Sequence, residues 1–205
     1  MSKGATDNFI DYAGDISQSA TADGFIAEVV KHWGELNVLV ANAGIARFHE
    51  FLSTPDSFIE DHLRVNVGGC YFVTRAAGRA MKEGGKGGSI IGVSSISALC
   101  GSGELVHYTP TKAAVYNLMQ SAAVALGPYG IRCNALLPGT IETQLNKVDL
   151  AVPEKRKAVV DRTTLKRVGK PEDLAGPAVF LASDLSQYCS GAQVLVDGGL
   201  FINQQ

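Results

Sequence analysis

Four runs of apolar residues along the chain have the length and composition of buried strands. Such runs, bounded by glycine, proline and polar residues, are typical of strands covered on both faces of a parallel sheet. A short alternating stretch at residues 8–13 predicts one more strand near the N-terminus. The four apolar runs lie at residues 38–41, 89–93, 132–137 and 192–196.

Helical periodicity separates these runs. Residues 21–33 place Phe25, Val29 and Trp33 on one face, and Gly34 ends the pattern. Strands that alternate with helices predict an α/β fold with a parallel sheet. The other predicted helices cover residues 57–81, begin near Val106 and begin at Pro171.

The composition is that of an ordinary globular chain. Its 205 residues, 46% hydrophobic and 19% charged, predict a single domain over residues 1–205. A net charge of −2 provides no basic surface for nucleic acid or for an anionic membrane. We therefore expect neither kind of partner.

The cysteine and histidine positions show no metal-ligand spacing. The four cysteines are scattered without a Cys-x-x-Cys pair, which predicts free thiols in a reducing compartment. The first residues carry no apolar signal-peptide core, and no apolar run reaches transmembrane length. We expect a cytoplasmic protein without a bound metal.

Three polar side chains stand where a predicted strand ends and a helix begins. Ser95 follows the run at residues 89–93, and Tyr108 and Lys112 are four positions apart, on one helix face. Ligands of open α/β sheets bind at this end of the strands. A nearby ammonium favours the phenolate, which would lower the pKa of a tyrosine from about 10. Tyr108 could then exchange a proton with an alcohol or carbonyl while Ser95 holds the reacting oxygen.

The Tyr-x-x-x-Lys spacing alone is a weak signal, equally typical of a solvated helix face. Further segments in a fixed order strengthen it, and together they resemble the short-chain dehydrogenase/reductase family. The resemblance runs from about residue 8 to the C-terminus. Its segments are residues 38–44 (VLVANAG), Asn66 within RVNV, the set Ser95, Tyr108 and Lys112, residues 138–143 (PGTIET) and residues 196–199 (VDGG).

The resemblance implies a role for each matched position. Ser95, Tyr108 and Lys112 would be catalytic, and Asn66 would hold a water that relays protons to the lysine. Asp15 would contact the adenine, although a turn or helix cap is the alternative for this residue. Residues 146–167 would form a substrate lid. The implied contacts to NAD or NADP are Asp15, Ile16, Asn42, Ala43, Gly44, Tyr108, Lys112, Pro138, Gly139, Ile141 and Thr143.

The family's opening strand, glycine-rich turn, helix and second strand have no counterpart in this sequence. The resemblance therefore implies a Rossmann-like doubly wound parallel sheet that is N-terminally truncated, with the first two strands absent. We expect a weakened pyrophosphate site as a result. Residues 84–88 are glycine-rich but follow a helix and precede a strand, so they are expected to be a connector. Without the two strands, residues 8–13 should be disordered or should pair with residues 38–41.

The family implies an NAD(P)-dependent oxidoreductase that transfers hydride between a hydroxyl and a carbonyl. Residues 87–118 and 196–205 are most similar to fungal L-rhamnose 1-dehydrogenases, which implies a sugar such as L-rhamnose, oxidised to its lactone. Two alternatives stay open: a 3-oxoacyl or other ketone reductase, and an inactive fragment acting through subunit interfaces. The family and the apolar Leu200, Phe201 and Ile202 also imply a homodimer or homotetramer.

Overall fold

The computed structural model describes residues 8–203. Its centre is a parallel sheet of four strands in the order β1-β2-β3-β4. This arrangement confirms the predicted α/β fold. The strands are β1 Val38–Ala41, β2 Gly88–Val93, β3 Ile131–Pro138 and β4 Gln193–Val196.

Helices connect the consecutive strands and cover the sheet. The helix predicted over residues 57–81 consists of two α-helices joined by a π-helix, and the predicted lid contains two helices. The helix predicted from Val106 begins at Thr109, and a 3-10 turn at Pro171–Leu174 leads into the last helix. The helices are α1 Ser19–Trp33, α2 Asp56–His62, the π-helix Leu63–Gly69, α3 Cys70–Gly84, α4 Thr109–Leu126, α5 Lys147–Leu150, α6 Pro153–Arg162 and α7 Ala175–Ala182.

The core lies on both faces of β2 and β3. Ile90, Ile91 and Leu137 are fully buried, as the continuous apolar runs predict. On one face these strands pack against α3 and α4. On the other face, Ile91 and Leu136 pack against Leu181 of α7. Both layers leave the carboxyl ends of the strands free for a site.

β1 is an edge strand of the described sheet. Leu39 and Ala41 are buried, whereas Val38 and Val40 are exposed. The prediction that this run is buried on both faces is wrong, because the α7 layer packs on β2 to β4 and leaves one face of β1 uncovered.

Residues 8–13 form no strand and do not pair with β1. Tyr12 instead packs on Phe25 of α1, with ring centroids 5.9 Å apart. The predicted strand and its pairing are therefore both wrong, and Tyr12 of this stretch contacts a helix instead of a strand. The alternative expectation of a disordered N-terminus falls partly on residues 1–7, which lie outside the described residues.

The buried face of helix α1 overlaps the predicted one in part, since Val29 is buried and Phe25 packs, partly buried, against the core. Ala22, Ile26 and Val29 are buried, whereas Trp33 is 44% exposed. Gly34 ends the helix as predicted, with a φ of 80° that favours glycine.

Within residues 8–203, no helix is long and apolar enough to cross a membrane. In the same range, no group of three or more His, Cys, Asp or Glu side chains is arranged to hold a metal ion. All four cysteines are unpaired. That residues 1–205 form one domain stays a prediction.

Candidate active site

The predicted catalytic residues converge at the carboxyl end of β2. Ser95 lies two residues beyond this strand, and Tyr108 immediately precedes α4. The loops that follow β1 and β3 begin at the same edge of the sheet, because all three strands are parallel. The structure thus brings the matched family segments to one side of the sheet.

Lys112 is fixed at both ends by the last residue of β2 and the residue that follows it. Its Nζ donates a hydrogen bond to the Val93 carbonyl at 3.0 Å, and its own carbonyl accepts one from Ser94 Oγ at 2.7 Å. The side chain is 6% exposed. This burial lowers the pKa of Lys112 to about 8, which still leaves the ammonium charged at neutral pH.

Tyr108 is held by the first turn of α4. Its N–H donates to the Leu105 carbonyl at 2.9 Å, and its carbonyl accepts from the Lys112 N–H at 3.3 Å. The Lys112 Nζ lies 5.6 Å from the centre of the phenol ring. This geometry places the ammonium beside the ring, as the four-residue spacing predicts.

The structure differs from the expectation that Lys112 lowers the pKa of Tyr108. Burial raises the pKa of Tyr108 to about 12, and a hydrogen bond with Ser95 opposes the rise. Desolvation outweighs the Ser95 hydrogen bond, and the Lys112 Nζ is directed to the Val93 carbonyl instead of the phenol oxygen. In this geometry the phenol is protonated at neutral pH.

Ser95 has an extended backbone, and its Oγ accepts a hydrogen bond from the Ser97 N–H at 3.1 Å. The hydroxyl therefore caps the following 3-10 turn at Ile96–Ala98 and lies near enough to the Tyr108 phenol to affect its pKa. One side chain thus joins the end of β2 to the phenol.

Asn66 is almost fully buried and pins the loop after β1. Its Oδ1 accepts from the Ile45 N–H at 2.7 Å, and its Nδ2 donates to the Ile45 carbonyl at 2.9 Å. Nδ2 also donates to Thr111 Oγ1 at 3.1 Å. The side chain therefore positions the loop and α4, and its role in a water relay stays a prediction.

Thr111 is a site residue that the sequence analysis missed. Its Oγ1 donates to the Tyr108 carbonyl at 2.7 Å while it accepts from Asn66. A threonine three residues into a helix often bonds back to the carbonyl at i−3, so its position gave a weak signal. Its contact with Asn66 could not be predicted from local spacing.

The predicted cofactor contacts on the β1 loop lie close to these groups. Asn42, Ala43 and Gly44 follow β1 and are exposed. A methyl group on Gly44 would lie 3.1 Å from Asn66 Oδ1 and 3.5 Å from Lys112 Nζ. Glycine at this position therefore keeps open a space beside the lysine that a bound ribose could use.

Asp15 and Ile16 lie beside the π-helix. Asp15 accepts hydrogen bonds from the Ser17 N–H at 3.0 Å and from Arg64 Nη1 at 3.2 Å. The contacts with Ser17 and then the Arg64 charge lower the pKa of the Asp15 carboxyl. Ile16 packs directly on Gly69, where a side-chain carbon would come within 2.9 Å.

The segment after β3 is shaped by two glycines. Gly139 donates to the Val196 carbonyl at 3.0 Å, and a methyl group there would lie 2.6 Å from Asp197 Cβ. Ile141 is buried and forms an isolated bridge with Gly169. Thr143 donates its N–H to Asn146 Oδ1 at 3.0 Å. The predicted contacts of Pro138, Gly139, Ile141 and Thr143 with the cofactor stay predictions.

A cleft of about 530 Å³ lies next to the predicted catalytic residues. The residues next to Ser95 form one part of it, and Leu105, whose carbonyl holds the Tyr108 N–H, forms another. The chain end after β4 also lines the cleft. The lining residues are Ile96, Ser97, Cys100, Gly101, Ser102, Leu105, Thr140, Val159, Arg162, Leu200 and Phe201.

Leu200 and Phe201 were expected to be buried against another subunit. The structure shows Leu200 buried within its own chain, and both residues line the cleft. Ile202 is 75% exposed. The difference arises because the turn after β4 folds the chain end back over the site.

A parallel sheet with serine, tyrosine and lysine at its carboxyl edge defines an oxidoreductase of the Rossmann-like α/β class. The family model described as "Enoyl-(Acyl carrier protein) reductase" matches residues 2–201. The chain belongs to the short-chain dehydrogenase/reductase family.

The chain is 55% identical over 199 residues to an L-rhamnose-1-dehydrogenase of Scheffersomyces stipitis, covering 97% of this chain and 77% of that protein. It is 54% identical over 192 residues to an L-rhamnose 1-dehydrogenase (NAD(P)(+)) of Sphingomonas sp., covering 94% of this chain and 76% of that protein. A crystal structure of a gluconate 5-dehydrogenase from Burkholderia cenocepacia with NADP and tartrate is 32% identical, with a TM-score of 0.88, and the match covers 91% of this chain and 73% of that one. The chain thus spans about three quarters of the length of these relatives.

Proposed function

We propose that this protein oxidises L-rhamnose at C1 to the lactone with NAD⁺ or NADP⁺. The observation that carries the proposal is the 55% identity, over 97% of the chain, to a relative named L-rhamnose-1-dehydrogenase. The convergence of Ser95, Tyr108 and Lys112 at one end of the sheet supplies residues able to do the chemistry.

The side chains have distinct roles in this reaction. Ser95 orients the O1 hydroxyl of the sugar by a hydrogen bond, beside the phenol that it already contacts. Because its phenol is protonated at neutral pH, Tyr108 first releases that proton to solvent, and its phenolate then accepts the proton of the sugar hydroxyl as the C–O bond at C1 becomes a carbonyl. The Lys112 ammonium, held by the Val93 carbonyl, stabilises the charge on the phenol oxygen. In the reverse direction, the protonated Tyr108 donates its proton to the carbonyl oxygen.

The residues present fit a nicotinamide cofactor at this edge. Gly44 has no side chain to fill the space beside Lys112. Gly139 likewise has no side chain to collide with Asp197 at the end of β3. When bound, NAD(P)⁺ accepts the hydride from C1. We propose the family's contact positions for this chain: Asp15, Ile16, Asn42, Ala43, Gly44, Tyr108, Lys112, Pro138, Gly139, Ile141 and Thr143.

A substrate panel tests the proposal. Purified protein is incubated with L-rhamnose, other aldoses or acetoacetyl thioesters, each with both nicotinamide cofactors, and the absorbance change of the cofactor is followed. We expect L-rhamnose to give the highest kcat/KM. Faster turnover of the thioester would favour the ketone reductase, and no turnover of any substrate would contradict the proposal.

We further propose that the protein works as a homodimer or homotetramer in the cytoplasm. Tyr71 on α3 and Val124 on α4 are large apolar residues exposed on neighbouring helices, which supports an interface. The unpaired cysteines support a reducing compartment. Light scattering after size exclusion tests the assembly, and a species with the mass of one chain would contradict it.

A further inference from the structure

The chain end after β4 returns to the candidate substrate cleft. Leu200 and Phe201 line this cleft together with Val159 and Arg162 of α6 and with Leu105 from the loop before Tyr108. One wall of the cleft is therefore built by residues that lie more than ninety positions after Tyr108 in the sequence. No motif of the sequence analysis assigned this wall a role in the reaction.

The carboxylate of Asp197 fixes the returning segment. Its Oδ1 accepts the Gly199 N–H at 2.9 Å, and its Oδ2 accepts the Phe201 N–H at 2.7 Å. Gly198 and Gly199 have φ angles of 62° and 79°, which let the chain reverse directly after β4. The backbone of Phe201 is therefore held by a charge-assisted hydrogen bond.

The same segment is fastened to the lid side of the cleft. The Leu165 N–H donates to the Gly198 carbonyl at 3.1 Å, and Thr164 Oγ1 donates to the Gly199 carbonyl at 3.1 Å. Asn203 Nδ2 donates to the carbonyl of Arg162, the last residue of α6, at 2.7 Å. The chain end and the end of α6 therefore form a single fixed wall.

We propose that Phe201, supported by Leu200, is a specificity-determining residue that packs against the C–H face of the sugar ring. This inference rests on the proposed function. An aldopyranose carries hydroxyls at its edge and aliphatic C–H groups on its faces, and binding pockets combine apolar walls with a few polar groups. Phe201 and Leu200 supply the wall, whereas Ser97, Ser102 and Arg162 are available to the hydroxyls.

The test uses Phe201→Ala with Ile202→Ala as a matched control. Ile202 is the next residue, but it is 75% exposed and does not line the cleft. Steady-state kinetics with L-rhamnose are measured at saturating cofactor, and the KM for the cofactor is measured separately. We expect Phe201→Ala to raise the sugar KM about tenfold or more, as loss of an apolar substrate contact does. The cofactor KM should change less than about twofold, and Ile202→Ala should resemble the wild type.

Two further variants separate packing from folding. Phe201→Leu keeps an apolar side chain and should give an intermediate sugar KM. Asp197→Asn keeps only one of the two carboxylate acceptors and should raise the sugar KM while Phe201 is present. If Phe201→Ala does not fold, the sugar KM values of Phe201→Leu and Asp197→Asn test the inference in its place.

The inference fails if the wild type oxidises L-rhamnose and Phe201→Ala keeps its sugar KM. It also fails if Ile202→Ala raises the sugar KM equally, since the effect would then belong to the chain end and not to the ring. If the wild type oxidises no aldose, the proposed function fails, and the specificity role fails with it.

Discussion

The Asn66 side chain donates a hydrogen bond to Thr111 Oγ1 at 3.1 Å, which joins the π-helix to the first turn of α4. Thr111 Oγ1 in turn donates a hydrogen bond to the Tyr108 carbonyl at 2.7 Å. Both Asn66 and Thr111 are buried. The orientation of Tyr108 therefore depends on a chain of two hydrogen bonds that begins outside its own helix.

Replacing Thr111 by valine should lower activity more than replacing it by serine. Valine has nearly the same shape but leaves Asn66 Nδ2 without one of its partners, whereas serine keeps the hydroxyl. We expect Thr111→Val to reduce the free energy of unfolding by about 1–3 kcal/mol and to lower kcat. Urea unfolding and initial rates provide the measurement, and equal values for the two variants would contradict the role of the hydroxyl.

The decrease in the free energy of unfolding at acidic pH should depend on His62. This residue is fully buried, its Nδ1 bonds the Phe58 carbonyl at 2.6 Å, and its Nε2 has no hydrogen-bond partner within the described part of the chain. Burial lowers the pKa of His62, with smaller effects from the charges of His107, Arg47 and Asp61.

Because the folded pKa lies below the unfolded value of about 6.5, the unfolded chain binds the proton first as the pH falls. Stability should therefore be constant above about pH 6.5 with respect to this group and should decline below it. His62→Phe should flatten the decline, and the exposed His32→Gln should not. Denaturant midpoints between about pH 5 and 7.5 measure the slope, and the same slope in His62→Phe would contradict the assignment.

The uncovered face and edge of β1 should promote association between chains. Val38 and Val40 expose apolar side chains on an edge strand, which is a template for further strand pairing. Val40→Lys places a charge there and should slow aggregation without loss of the fold. Light scattering during storage gives the rate, and Leu185→Lys, at an exposed position after α7, is a control of equal charge. Slower aggregation in the control alone would contradict this role of β1.

The predictability of the fold follows the packing of each element. β2 and β3 could be predicted because burial on both faces makes them continuous apolar runs. Residues 8–13 could not, since the same alternation suits a strand or, as with Tyr12 on Phe25, a contact with a helix. Periodicity placed α1 and its buried Val29 correctly but not the exposure of Trp33, because the position of α3 decides which residues are covered.

The site residues also include some that the sequence could predict and some that it could not. Ser95, Tyr108 and Lys112 could be located because strand and helix boundaries bring them to one edge. Thr111 could not, because its role is set by a partner 45 positions away. The place of Phe201 in the cleft depends on the turn that Asp197 holds, which local pattern does not reveal.

Cofactor affinity should be low in this chain. The loops after β1, β2 and β3 in the described residues do not form a glycine-rich turn that opens a helix, which is the usual pyrophosphate site. Losing two charge-assisted hydrogen bonds of about 1.5–3 kcal/mol each weakens binding about 10²- to 10⁴-fold. Calorimetric titration should give millimolar Kd values for NAD⁺ and NADP⁺, and a micromolar value for either would contradict this prediction.

The rate of L-rhamnose oxidation by Tyr108→Phe, measured at millimolar cofactor, tests the account most directly. Phenylalanine keeps the ring and removes the group that accepts the proton, and the exposed Tyr12→Phe serves as the control. We predict that Tyr108→Phe lowers the rate about 10²- to 10⁴-fold while the control stays at the wild-type rate. A Tyr108→Phe rate within about tenfold of the wild type would contradict the assignment of Tyr108 as the acid/base residue.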